Sequence, residues 1–168
     1  MKPYVSICIP VFKTEELLEE ALQSVLQNDV EHVSKNVEVI IVNDGSTSTN
    51  LQGLSCKQIV KKFKQKTKII INYIAHSQNE RLVEARRSTV YEAKGEYIFF
   101  FDSDDVLTPN CIKDLMSLAQ KENYDIVQGS FVTFPEENKR KIANFQGLLK
   151  DNEIFRSWLI EKKSSSYL

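Results

Sequence analysis

The feature that most constrains the fold is an alternation of short apolar runs with helical patterns. Four runs are rich in Val, Ile and Phe, and they are Tyr4–Ile9, Val37–Val42, Ile69–Ile74 and Tyr97–Phe101. Runs of this length and composition indicate buried strands rather than helices. Because such strands alternate with amphipathic helices, the sequence predicts an α/β fold with a mostly parallel sheet and helices on both faces.

The segments between these runs carry helical spacing. Thr14 is the expected N-cap of a first helix, a second spans about 55–63, Asn79 is expected to cap a third that reaches about Ala93, and a fourth spans about 109–120. The apolar positions expected to pack on the sheet are Leu17, Leu18, Ala21, Leu22, Val25 and Leu26 in the first helix and Leu82, Val83, Val90 and Ala93 in the third.

The last part of the chain carries weaker patterns. Residues 125–128 and 131–134 are expected strands, 135–141 is an expected charged turn, and 152–162 has a helical apolar stripe. With 168 residues, the chain is long enough for one ordinary domain with its own core.

Polar clusters directly follow three of the predicted strands. Pro10–Lys13 follows the first strand, Asn43–Ser46 follows the second, and Asp102–Asp105 follows the fourth. Ligands of parallel α/β sheets bind outside the carboxyl ends of the strands. The three clusters are therefore expected to line one crevice.

The acidic run Asp102–Asp105 has two interpretations. Its carboxylates repel one another unless a cation or a donor neutralises them, and oxygen ligands suit Mg²⁺ or Mn²⁺. Alternatively, these acids cap the helix expected to begin near Pro109. Because Asp44 is expected at the same edge of the sheet, the metal site is the preferred interpretation.

Asp44 and two arginines are further candidates for ligand binding. Asp44 precedes Gly45, so it either organises an Asx-turn or accepts hydrogen bonds from a nucleobase or a ribose. Arg86 and Arg87 on the third helix either are solvated or meet a diphosphate through a bidentate contact.

Composition and missing motifs exclude several classes of function. Lys plus Arg (22) nearly balance Asp plus Glu (23), so no general attraction to nucleic acid is expected. The sequence has no Gly-rich dinucleotide motif, no P-loop, no EF-hand pattern and no G-x-S-x-G elbow. Three scattered cysteines and two histidines disfavour a disulfide framework and a zinc site. With no signal peptide or membrane-length run in the sequence, the cytoplasm is the expected compartment.

Several short motifs occur in a fixed order over about residues 4–130. They are Pro10, Val11 and Phe12; Val42, Asn43, Asp44, Gly45 and Ser46; Asn79; Ala85 and Arg86; Gly95, Glu96 and Tyr97; and Phe101, Asp102, Ser103, Asp104 and Asp105. In this order they resemble family 2 glycosyltransferases of the GT-A fold. Their combination is far more specific than the acidic run alone.

The resemblance implies roles for individual residues. It implies that Pro10–Phe12 and Asp44 cradle a nucleoside. It also implies that Asp102 lies near the ribose and diphosphate and that Asp104 holds Mn²⁺ or Mg²⁺. Arg86 matches the motif as a further donor-binding residue.

The same resemblance implies a reaction. A sugar would pass from a nucleoside-diphosphate sugar to an acceptor hydroxyl, with inversion and with the help of a metal, in polysaccharide biosynthesis. Residues 1–130 would form the nucleotide-sugar-binding core, and residues 131–168 would begin an acceptor-side region. The acceptor would be a saccharide or a lipid-linked molecule, and peripheral membrane association is left open.

Two alternatives to a complete transferase remain. No residue after Gly129 matches the catalytic base, although Asp151, Glu153 and Glu161 are available carboxylates, so a truncated chain that binds nucleotide sugar without catalysis is one alternative. The other is a sugar nucleotidyltransferase, which would show a Gly-rich loop after the first strand. Lys13 stands where the family often has Asn, which leaves the donor sugar open.

Overall fold

The computed structural model describes residues 4–28, 36–122, 124–132 and 140–141. Its strands are β1 (Val5–Val11), β2 (Val37–Asn43), β3 (Ile70–Ala75) and β4 (Tyr97–Phe100). Its helices are α1 (Glu15–Gln27), α2 (Cys56–Lys64), α3 (Arg81–Glu92) and α4 (Cys111–Glu122). The four strands pair in parallel in the order β3-β2-β1-β4, which confirms the predicted α/β fold with a mostly parallel sheet.

Helices cover both faces of the sheet. On one face, Ile7, Ile9 and Val39 pack in the main core with residues of α1 and α2. On the other face, α3 contacts β1 and β2 and buries Ala85 and Thr89. The two central strands are therefore buried on both sides, which explains why most of their residues are apolar on both faces.

Strand β4 lies at the edge of the sheet and is covered on one side only. Tyr97 and Phe99 pack against the core, whereas Ile98 and Phe100 are exposed. Among the described residues, the expectation that all four strands are buried on both faces is therefore wrong for β4, and also for the other edge strand, β3, where Ile70 is exposed.

The apolar face predicted for the third helix is also wrong. Leu82, Val83 and Val90 are exposed, and the side that packs on the sheet carries the small residues Ala85 and Thr89. Its cap differs as well, because Glu80 rather than Asn79 is the N-cap residue. A helix that rests on two strands through small side chains leaves its larger apolar residues pointing away.

Element bounds differ at several places. The first strand continues through Pro10 to Val11, because β1 pairs with β2 over its whole length. The fourth helix begins at Cys111 instead of Pro109, and residues 125–128 form no strand.

The two remaining described strands form a small second sheet. β5 (Phe131–Val132) pairs antiparallel with β6 (Arg140–Lys141). The rest of the strand and turn expected over 131–141, and the helical stripe expected at 152–162, fall outside the described residues. No helix within the described ranges is long and apolar enough to cross a bilayer.

Candidate functional site

Loops at the carboxyl ends of β1, β2 and β4 are joined by hydrogen bonds. The backbone N–H of Asp44 donates to the carbonyl of Val11 at 2.9 Å, and that of Lys13 donates to Ser46 Oγ at 3.1 Å. The hydroxyls of Thr14 and Ser103 lie 2.7 Å apart and connect the start of α1 to the acidic run. The structure thus brings the three polar clusters together at one edge of the sheet.

The first cluster forms one wall of this edge. Pro10 and Val11 are the last residues of β1 and are buried, with Val42 and Asn43 as their partners on β2. Phe12 follows them and is exposed, with the ammonium of Lys13 5.2 Å from its ring centre. An exposed aromatic ring beside a cation is therefore the accessible part of this segment.

Asp44 is a buried carboxylate held at one of its oxygens. It is 2% exposed, and its Oδ1 lies 2.7 Å from His76 Nδ1 and accepts the backbone N–H of Glu80 at 2.9 Å. The alternative of an Asx-turn at Asp44 is wrong, because the N–H of Ser46 that such a turn needs donates to Asn43 Oδ1 at 2.7 Å. The carboxylate of Asp44 bonds instead to the His76 ring and the Glu80 backbone.

His76 is a site residue that the sequence analysis missed. Its Nδ1 lies against Asp44 and its Nε2 lies 2.9 Å from Ser88 Oγ, so both ring nitrogens are engaged. His76 directly follows β3, as Asp44 follows β2. The rule that places ligands at the carboxyl ends of parallel strands would have singled it out.

The order acid, histidine, serine also occurs in the catalytic triads of hydrolases, but this geometry does not support such a reaction. Ser88 lies in the middle of α3. Backbone N–H groups in the middle of a helix donate to carbonyls one turn earlier, so they cannot form an oxyanion hole. Asp44, His76 and Ser88 therefore form a structural chain of hydrogen bonds rather than a nucleophile with its base.

Arg86 and Asp102 form an ion pair at the end of β4. Arg86 Nη2 donates to Asp102 Oδ1 at 2.7 Å, and the guanidinium lies 5.5 Å from the centre of the Phe100 ring. Its Nε is buried and has no hydrogen-bond partner among the described residues. Arg87 is different, because it is exposed and bonds to Glu84 and Tyr91 along the helix surface.

The acidic run differs in exposure from residue to residue. Ser103 is buried, Asp102 is half-buried, and Asp104 and Asp105 are exposed. Partial burial, and then the charges of Asp104 and Asp102, raise the pKa of the Asp105 carboxyl. These acids do not cap α4, which begins only at Cys111, so the capping alternative is wrong.

No group of three or more His, Cys, Asp or Glu side chains converges into a preformed metal cage within the described residues. The donor set of the acidic run still suits a hard divalent cation. Mg²⁺ in particular binds through one or two carboxylates and completes its coordination with water and substrate phosphates. Asp104, exposed beside two further carboxylates, fits this requirement.

Comparison with known proteins places this chain in a family. The sequence matches the family model described as "Glycosyl transferase family 2" over residues 6–163. The chain belongs to glycosyltransferase family 2. The family expected from the order of the sequence motifs is thereby confirmed.

The curated relatives of this chain are considerably longer than the chain itself. Glycosyltransferase GlyG of Streptococcus pneumoniae is 28% identical over 82% of this chain and 42% of its own length. The GalNAc(5)-diNAcBac-PP-undecaprenol beta-1,3-glucosyltransferase of Campylobacter jejuni is 27% identical over 97% of this chain and 49% of its own length. The chain therefore spans less than half the length of these two relatives.

Solved structures show the same GT-A fold. TarS 1-349 of S. aureus, in complex with UDP, superposes with a TM-score of 0.62 and 25% identity over 71% of this chain and 33% of that one. The same protein has been solved with UDP-GlcNAc. The mannosyltransferase PcManGT of Pyrobaculum calidifontis, in complex with GDP-Man and Mn²⁺, has a TM-score of 0.60 over 77% of this chain and 35% of its own. Its 19% identity supports the fold alone.

Proposed function

We propose that this chain provides the donor-binding part of a glycosyltransferase that moves a sugar from a nucleoside-diphosphate sugar to an acceptor hydroxyl, with inversion. The supporting observation is the pairing of a buried, hydrogen-bonded Asp44 with an Arg86–Asp102 ion pair at one edge of the sheet. Family membership and the UDP and UDP-GlcNAc complexes of TarS support the same donor class.

The nucleoside would lie between the first two loops. Pro10 and Val11 form a buried backbone wall, and Phe12 offers an exposed ring beside it. Asp44 has one oxygen occupied by His76 and Glu80, which leaves its other oxygen to accept a hydrogen bond from a nucleobase N–H or a ribose hydroxyl.

The diphosphate would lie nearer to β4. Asp104 would hold Mn²⁺ or Mg²⁺ together with phosphate oxygens of the donor. Such an ion supplies neutralisation of the charge that develops on a departing diphosphate. Arg86 would supply a second positive charge at this end of the crevice. Its ion pair with Asp102 also neutralises that carboxylate, which would otherwise repel the diphosphate.

The base that would accept the proton of the acceptor hydroxyl is not assigned. Asp151, Glu153 and Glu161 lie outside the described residues, and the described carboxylates Asp44, Asp102 and Asp104 are proposed to bind the donor. The donor half of the reaction is therefore what the described residues support. The acceptor, a saccharide or a lipid-linked molecule, stays a prediction, and so do the domain limits 1–130 and 131–168.

Calorimetric titration of UDP and GDP with Mn²⁺ tests the proposal. The change is Asp104→Asn, with Asp125→Asn as a matched control at another exposed aspartate. Because an amide offers a metal only a neutral oxygen, the variant should lose at least about tenfold in affinity, or about 1.4 kcal/mol, while the control stays unchanged. EDTA should weaken wild-type binding to a similar degree. Wild-type affinity that is the same with Mn²⁺ and with EDTA would contradict the metal site.

A further inference from the structure

A chain of hydrogen bonds joins the end of β2 to α3 through the ring of His76. His76 Nδ1 lies 2.7 Å from Asp44 Oδ1, and Nε2 lies 2.9 Å from Ser88 Oγ. The backbone N–H of His76 also donates to the carbonyl of Asn43 at 2.9 Å. The His76 side chain, only 10% exposed, is therefore fixed at both ring nitrogens and at its own backbone.

The partners of this ring define its tautomer. An ionised carboxylate only accepts hydrogen bonds, so the ring proton lies on Nδ1 and is donated to Asp44. In the neutral ring Nε2 is then an acceptor, and the hydroxyl of Ser88 donates to it. Ser88 thereby favours the tautomer that Asp44 needs, because the hydrogen bond of one ring nitrogen sets the protonation of the other.

Asp44 is held in one orientation by these contacts. Both the His76 ring and the backbone N–H of Glu80 reach Oδ1, so turning the carboxylate plane away from this orientation breaks two hydrogen bonds. The loop around it is equally restricted, because Gly45 lies directly against the backbone of Gln78 and Asn79. The direction of Oδ2, the oxygen proposed to contact the nucleoside, is consequently fixed as well.

We propose that His76 and Ser88 are positioning residues that fix Asp44 for recognition of the nucleoside. This inference rests on the proposed function, in which Asp44 contacts the nucleoside part of the donor. The same helix carries Arg86, which donates to Asp102 at 2.7 Å. α3 therefore sets the spacing between the carboxylate on the nucleoside side and the ion pair on the diphosphate side.

The test separates nucleoside recognition from diphosphate binding. His76→Phe removes both ring hydrogen bonds but keeps an aromatic ring, Ser88→Ala removes only one, and Ser117→Ala on the exposed surface of α4 is the matched control. Affinities for UDP, GDP and inorganic pyrophosphate are measured with Mn²⁺. His76→Phe should weaken binding of UDP or GDP about tenfold and Ser88→Ala about threefold, because a bond to a charged group is lost or loosened. Pyrophosphate affinity should stay within about twofold of wild type in both variants.

The possible outcomes separate a failure of the proposed function from a failure of the positioning role of His76 and Ser88. A wild-type chain that binds neither UDP nor GDP would overturn the proposed function and this inference together. Wild-type binding that both variants retain in full would overturn the positioning role alone. Equal losses for UDP and pyrophosphate would also overturn it, since they would indicate a general structural defect.

The tautomer of His76 gives a second readout, which is taken first on the wild-type chain. The chain contains two histidines, so ¹⁵N spectra of its imidazole rings are simple to assign. The wild-type ring should carry its proton on Nδ1, and Ser88→Ala should shift the population toward the Nε2 form. A wild-type ring of His76 that is protonated mainly on Nε2 would refute the proposal.

Discussion

Gly45→Ala is the substitution for which the structure makes the sharpest prediction. Gly45 has φ +70°, and an added Cβ would lie 2.2 Å from the carbonyl carbon of Gln78 and 2.6 Å from the backbone nitrogen of Asn79. Because both atoms belong to the backbone, no side-chain rotation relieves the overlap. The two loops must separate, and this separation would pull Asp44 away from its partners His76 and Glu80.

Gly53 provides a matched control for this substitution. Its φ is +72°, but an added Cβ there meets nothing within 4 Å. Gly53→Ala therefore carries only the cost of a left-handed backbone conformation, about 1 to 2 kcal/mol. Gly45→Ala carries the same cost plus that of forcing extra volume into a packed region, about 1 to 3 kcal/mol more.

Urea denaturation of both variants measures this difference. The free energy of unfolding should fall by about 1 to 2 kcal/mol for Gly53→Ala and by about 2 to 5 kcal/mol for Gly45→Ala, with unchanged denaturant slopes. Binding of UDP or GDP should persist in Gly53→Ala and be lost in Gly45→Ala. If Gly45→Ala is no less stable than Gly53→Ala, the close approach of the two loops is refuted.

Two further predictions concern alkaline stability and turnover. Burial, and then the carboxylate of Glu15, raise the pKa of the Cys56 thiol from 9.0 to about 12, so folding favours the protonated thiol. This contribution to stability is complete below pH 9 and is lost as the pH rises toward 12. In urea denaturation, the free energy of unfolding should therefore fall by about 1.4 kcal/mol between pH 8 and pH 10, and Cys56→Ala should lack this fall. The second prediction is that the 168-residue chain binds UDP or GDP but does not catalyse multiple turnovers of sugar transfer, because proximity and general base catalysis need acceptor-side residues. Robust transfer in a radiolabelled-donor assay would contradict this second prediction.

Much of the candidate site follows from strand order alone. Asp44 and Asp102 come directly after apolar runs, and parallel strands bring their carboxyl ends to one edge. Since this rule depends only on where a strand ends, errors of one or two residues in the strand bounds, such as that at Pro10, do not change it. The same rule would have placed His76, which was passed over because a lone histidine carries no motif.

The face of a helix is harder to predict from sequence. In α3, counting large apolar residues selected Val83 and Val90, yet the sheet is contacted by Ala85 and Thr89. Hydrophobic spacing predicts that the side of a helix with the largest apolar residues is buried. A helix that packs through small residues buries a different side, and its large apolar residues are then exposed. Likewise, the apolar run of β4 does not show that the strand lies at an edge of the described part of the sheet, because position in a sheet depends on pairing rather than composition.

The orientation of α3 explains how one helix serves both sides of the crevice. Ala85 and Thr89 are one turn apart and define the buried line on β1 and β2. At 3.6 residues per turn, Ser88 and Arg86 lie on opposite sides of that line, each about 80° away. Ser88 therefore reaches toward β3 and its neighbour His76, while Arg86 reaches toward the end of β4 and Asp102. Rotating the helix by one residue would move both contacts out of reach, so the small residues at the buried line determine the geometry of the polar ones beside it.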